Sequence, residues 1–290
     1  MTAERSLSHT LSLRSQFRRA WHPIDMLVIL AVPAVLTYVF TLPEAVRRSY
    51  TFAYLDPTVP TAFTAHFIHL TFEHLAINLL SYGLLCLSCY VLCILAGARR
   101  FFYTAFVTLV FVFPFALSGL NLAVPRDAIG YGFSGINMAF FGLLPIALTN
   151  YLITNVTPGF RARDAPVFFF FITAMSVTLV LPMNIWSIVI AGGIFLVFVS
   201  FIFSIRRSTG GSVMALLRVL LAPELRAHIA LVTLLLLVGY PFVAFPRAVV
   251  TGPVVINVYI HVVGFCLAFV TSYLFNSIVP VDTENKTKSE

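Results

Sequence analysis

The chain reads as an all-α polytopic membrane protein with about eight transmembrane helices. Three observations carry that reading. Of 290 residues, 60% are hydrophobic and 10% charged, where soluble domains carry roughly 25% charged residues. The mean hydropathy is +0.97. Several apolar runs reach the roughly 20 residues that a bilayer demands.

Residues 1–23 form a polar tail with Arg5, Arg14, Arg18 and Arg19. No small-residue cleavage site follows a short apolar core, so the tail is not a cleavable signal peptide and the first apolar run stays as a span. Breaks at polar, Gly and Pro residues then predict helices over about 24–42, 68–96, 101–123, 134–153, 165–181, 185–205, 227–245 and 255–278. The division at Leu181-Pro182-Met183-Asn184 is uncharged, but 165–205 is too long for one span. Pro182 and Asn184 make a turn there. Arg206, Arg207, Arg218 and Arg226 place 206–226 on the membrane surface. Residues 24–278 thus form one transmembrane domain, and 279–290 a polar C-terminal tail.

Charge sets the orientation. With the N-terminus inside, fourteen basic residues are cytoplasmic and four (Arg47, Arg48, Arg126 and Arg247) are outside. That asymmetry predicts eight spans in the cell membrane with both termini cytoplasmic. The net charge of +7 gathers at span ends, which is a topology signal and not a nucleic-acid surface. Lys286 and Lys288 are the only lysines among 18 basic residues, a bias expected of a prokaryote. Cys86, Cys89 and Cys93 share one helical face. With no fourth ligand nearby they are read as packing residues, not a metal site.

Three polar sets then fall in the outer half of the membrane, and an ionisable residue there is a functional candidate by default. In Gly130-Tyr-Gly132-Phe-Ser134-Gly135 the glycines let the chain turn into a helix at Ser134. A helix start leaves free N–H groups, which suit a developing oxyanion. The same serine also reads as an ordinary N-cap among packing glycines. His261 stands in an apolar run, with Gly264 and Ala268 on its face. Those small residues allow close approach of another helix. A neutral imidazole near Ser134 would take the hydroxyl proton and return it to a leaving amine; a structural hydrogen bond is the alternative. His74 and Asn78 are four residues apart and share a face. Both can donate to an oxyanion. His66, His69 and Glu73 nearby raise a metal site as rival, but no His-Glu-x-x-His occurs. His66 and His69 are read instead as organising the mouth of the helix. The five aspartates lie outside the span interiors, against a paired-aspartate protease.

These residues resemble the rhomboid family of intramembrane serine proteases, in the family's order. His74-Leu-Ala-Ile-Asn78 is similar to its His-x-x-x-Asn pair, with His69 in the histidine-rich opening. Gly132-Phe-Ser134-Gly135, followed by Ala139 and Gly142, is similar to its Gly-x-Ser-Gly-x-x-x-Ala-x-x-Gly helix start. His261 with Gly264 is similar to its histidine helix. The resemblance implies a Ser134–His261 dyad and an oxyanion hole from His74, Asn78 and the Ser134 N–H. It implies site support from Gly132, Gly135, His69 and Gly264, single-span membrane substrates within the lipid bilayer, and no cofactor. It implies a six-helix core, here with two additional spans between the serine and histidine helices. The first outer loop lacks the family's Trp-Arg pair and carries Arg47-Arg48-Ser-Tyr50. Met138 stands where some members have an aromatic residue, and Ala268 where many have glycine. An inactive rhomboid-like protein that binds membrane clients is the alternative, and a transporter with His66, His69, His74 and His261 as a proton path a further one.

Overall fold

The structure, a computed structural model, describes residues 13–124, 126–156, 160–209, 221–245, 250–251, 254–255 and 257–278. Eight helices within them are long and apolar enough to cross a membrane. They are α1 (Pro23–Phe40), α2 (Phe72–Leu95), α3 (Arg99–Asn121), α4 (Ser134–Asn155), α5 (Ala162–Val180), α6 (Ile185–Arg207), α7 (Leu225–Ala244) and α8 (Val258–Ile278). The chain is an all-α, multi-pass membrane protein. Most of the predicted surface segment 206–226 falls outside the described residues, as do most of the N-terminal tail and the C-terminal tail.

α4 is the axis of the bundle. Apart from Ser134, Ile153 and Thr154 at its ends, the helix is buried; it is mostly apolar on every side, with Asn137, Thr149, Asn150 and Asn155 as buried polar exceptions. α2 packs against it through the cysteine face: Cys86, Cys89 and Cys93 are fully buried, and Cys89 Sγ lies 3.4 Å from the Phe140 carbonyl oxygen. These thiols are free, and no group of metal-ligating residues occurs among the described residues.

α8 makes the most extensive helix contact in the molecule, against α4. Glycines set its closeness. A methyl group at Gly264 would lie 2.5 Å from the Gly135 carbonyl oxygen, and one at Gly142 would lie 3.0 Å from Phe269 N. α7 packs beside α4 through Tyr240 on Phe141, with ring centroids 4.9 Å apart.

The two additional spans do not part α4 from α8. α5 stacks on α8 through Phe169 on Phe269, with centroids 4.3 Å apart, and also touches α4 and α7. α6 packs on α5 through Phe170–Phe201 and Phe171–Phe198 and presents its remaining surface outward. The predicted turn holds: Asn184 Oδ1 accepts the Ser187 N–H at 3.0 Å.

At the end of the bundle opposite Ser134, buried Asp25 joins three helices. It accepts from Arg99 Nη2 at 2.5 Å, from the Tyr90 hydroxyl at 2.6 Å and from the Tyr103 hydroxyl. Oδ2, which accepts from Tyr90, also completes a capping box with the His22 N–H. Asp25→Asn turns one oxygen into a donor facing donors. It is expected to cost about 2 kcal/mol, read as a lower melting temperature in detergent.

Two of the helix starts that differ from the expected bounds bear on the site. α2 begins at Phe72, not near residue 68, because Thr71 is extended and its Oγ1 accepts the His74 N–H at 3.3 Å. His66 therefore sits in a 3-10 turn, Ala65–Phe67, and His69 in the link that follows. α8 begins at Val258, not 255, so His261 lies in its first turn; Asn257 Oδ1 caps that turn by accepting the Ile260 N–H at 3.2 Å.

Candidate active site

The Ser134 end of the bundle encloses a cavity of about 990 Å³. Its walls include His74 and Asn78 of α2, Ser134 of α4, His261 of α8, and Tyr240 and Ala244 of α7. With Ser118 and Asn121 of α3, residues from five spans and from opposite ends of the sequence thus face one space. Nothing from α5 or α6 lines it.

The approach to Ser134 is built from the glycines. Residues 129–130 pair antiparallel with Phe52–Ala53 of the first loop. The Gly132 N–H then donates to the Ala65 carbonyl at 2.9 Å. Gly132 has φ +108°, and a methyl group there would lie 2.8 Å from His74 Nε2. Only glycine satisfies both the backbone and the close imidazole. Phe133 is fully buried and is the N-cap, so Ser134 is the first helical residue and the free N–H groups of the helix start lie beside its side chain.

His261 is buried. Its Nδ1 is 2.7 Å from the Ala244 carbonyl oxygen. A carbonyl only accepts, so Nδ1 carries the proton and Nε2 keeps its lone pair. The ring meets Phe245 edge-on at 6.3 Å. No hydrogen bond joins Ser134 and His261 among the described residues.

Asn78 donates from Nδ2 to the His74 carbonyl at 2.9 Å. The His74 ring stands edge-on to His69, 5.0 Å between centroids, and to Tyr131, 5.6 Å. His69 Nε2 accepts the Phe133 N–H at 3.4 Å, so His69 supports the serine loop from behind. His66 Nε2 lies 3.0 Å from Ser118 Oγ, whose proton goes to the Ala62 carbonyl at 2.7 Å. His66 therefore donates to Ser118 and ties the first loop to α3.

Three site-building groups escaped the sequence. Arg47 is buried, donates to the Leu42 and His69 carbonyls, and lies 4.4 Å over the Phe40 ring. It holds the His69 link in a loop that lacks Trp-Arg. Asn137, one turn after Ser134, donates to Asn78. The Ala244 carbonyl orients the His261 ring. An arginine among outer charges carries no sign of burial. The asparagine carried a signal, an amide inside an apolar span, that was not taken up.

Burial pulls the imidazole of His69 down to about 3, with His74 and Arg47 adding to it. Burial pulls His66 down to about 4. Both are neutral in the folded protein, so the unfolded chain binds more protons at acid pH. The stability they contribute is complete above about pH 6.5 and is lost as pH falls toward 4. Thermal melts in detergent are expected to be flat above pH 7 and to fall between pH 6.5 and 4. In the His69→Gln variant that slope is expected to be shallower.

No protein-family model matches this chain, and no curated protein or solved structure matches it either.

Proposed function

We propose that this chain is a rhomboid-type intramembrane serine endopeptidase. The observation that carries the reading is the meeting of Ser134, His261, His74 and Asn78 around one cavity, behind a glycine-mediated crossing of α4 and α8. On this reading α1–α4, α7 and α8 are the six-helix core, and α5–α6 an outlying hairpin. Both termini are cytoplasmic and the cavity opens to the outer side of a prokaryotic cell membrane.

In this mechanism His261 Nε2 takes the Ser134 proton as Oγ attacks the scissile carbonyl. The proton then passes to the leaving amine, and the acyl-enzyme is hydrolysed by water entering through the cavity. The Ser134 N–H, His74 and Asn78 stabilise the oxyanion. The Ala244 carbonyl holds the tautomer, a part that an aspartate plays in soluble triads. The substrate is a single transmembrane helix, unwound locally near its outer end, and no cofactor takes part.

The test is proteolysis in liposomes of a tagged single-span substrate. Cleavage is expected with the native chain and lost in Ser134→Ala and His261→Ala. Cleavage that persists in Ser134→Ala contradicts the serine assignment. Tight binding of the substrate without cleavage by the native chain would favour a client-binding protein instead.

A further inference from the structure

Asn137 is 1% exposed, on α4 one turn beyond Ser134, and it faces the same cavity. Its Nδ2 lies 3.0 Å from two oxygens at once, the Asn78 carbonyl and Asn78 Oδ1. Only an amino group satisfies two acceptors, so the orientation of the Asn137 amide is fixed by its neighbours. Asn78 is fixed in turn. Its Oδ1 faces the Asn137 amino group, and its Nδ2 faces the His74 carbonyl. A flip of either amide would set oxygen against oxygen in a buried site, where unpaired polar atoms are costly.

The consequence concerns the second N–H of Asn78. One proton of its amino group is committed to the His74 carbonyl. The other has no protein partner among the described residues, and Asn78 lines the cavity. Without Asn137 only the His74 carbonyl holds the Asn78 amide, which loses one of the two contacts that keep its oxygen turned away from the cavity.

Asn137 also keeps a buried Oδ1 with no partner. A side chain present only for stability would seldom be left half satisfied. Its placement is explained by what its amino group does to Asn78.

We infer that Asn137 is a positioning residue, which locks the Asn78 amide with its remaining N–H toward the reaction centre. This rests on the protease reading above. It adds a residue of α4 to the electrostatic machinery of α2, so that nucleophile and oxyanion donor are registered by one helix. The role belongs to the chemical step, so loss of Asn137 should lower kcat and leave KM near its native value.

The experiment is a double-mutant cycle in liposomes with the single-span substrate. Asn137→Leu is expected to lower kcat about 10- to 100-fold, within the loss produced by removing an oxyanion donor outright. Asn78→Ala is expected to lower it at least as much. The double variant should be no slower than Asn78→Ala, because Asn137 acts through Asn78. If Asn137→Leu does not fold, Asn137→Asp keeps the volume and sets a carboxylate against the two Asn78 oxygens. It should show the same kcat loss and the same non-additivity. Native kcat in either folded variant, or full multiplication of the two losses, overturns the inference while leaving Ser134-dependent cleavage intact. Absence of Ser134-dependent cleavage in the native chain would instead overturn the protease reading on which it rests.

Discussion

Ser134→Ala is expected to lower kcat for a single-span substrate by roughly 10⁴-fold or more, without loss of fold. The two halves of that statement have separate physical grounds. On the proposed mechanism, removing the hydroxyl removes the atom that forms the acyl bond, so positioning and electrostatics have no nucleophile to act on. The fold does not need that hydroxyl. Phe133 is the N-cap and no side-chain cap bond is made at this helix start, so a methyl group replaces the hydroxymethyl at little cost. The melting temperature should stay within a degree or two of the native value. His261→Ala should lose a similar fraction of the rate, since a dyad member lost alone costs nearly as much as both. It should also melt lower, because the Ala244 carbonyl loses its donor.

Gly142→Val has the second largest expected effect, and it acts at a distance from the chemistry. A methyl group at Gly142 would overlap the Phe265 carbonyl oxygen, and would sit 3.0 Å from Phe269 N and 3.1 Å from Ala268 Cβ. Two of these neighbours are backbone atoms of α8 and have no rotamer to yield. The helix itself must move, at a cost of about 1–3 kcal/mol or more. His261 is carried on α8 and Ser134 on α4, so the displacement is passed to the dyad. A shift near 1 Å is worth about 100-fold in rate. Both melting temperature and kcat are therefore expected to fall together. Gly192→Ala supplies the contrast: nothing lies within 4 Å of a methyl group there, so stability and rate should be unchanged.

The spans were legible because a bilayer-spanning helix must be both long and apolar. All eight are observed, and even the uncharged break at Leu181–Asn184 falls where expected. The helix start at Ser134 was legible because glycines announce an irregular backbone, and φ +108° at Gly132 bears that reading out. The beginning of α2 was not. His66 and His69 continue the apolar run, and only the cap made by Thr71 separates them from the helix. Nor was the placement of the α5–α6 hairpin. Spans that are apolar on every side carry no record of which neighbour they meet. The polar contacts of Arg47 with the His69 carbonyl and of Asn137 with Asn78 join positions 22 and 59 residues apart. Pairings over such separations leave no periodic trace in a single chain.

The most direct test of the central claim is labelling by a fluorophosphonate probe in the intact membrane protein, mapped by peptide mass spectrometry. A serine activated by the His261 imidazole should be modified at Ser134, and labelling should disappear in Ser134→Ala and fall sharply in His261→Ala. Labelling that is carried by another residue, or that is absent from a folded protein shown to be accessible to the probe, would contradict the Ser134–His261 dyad.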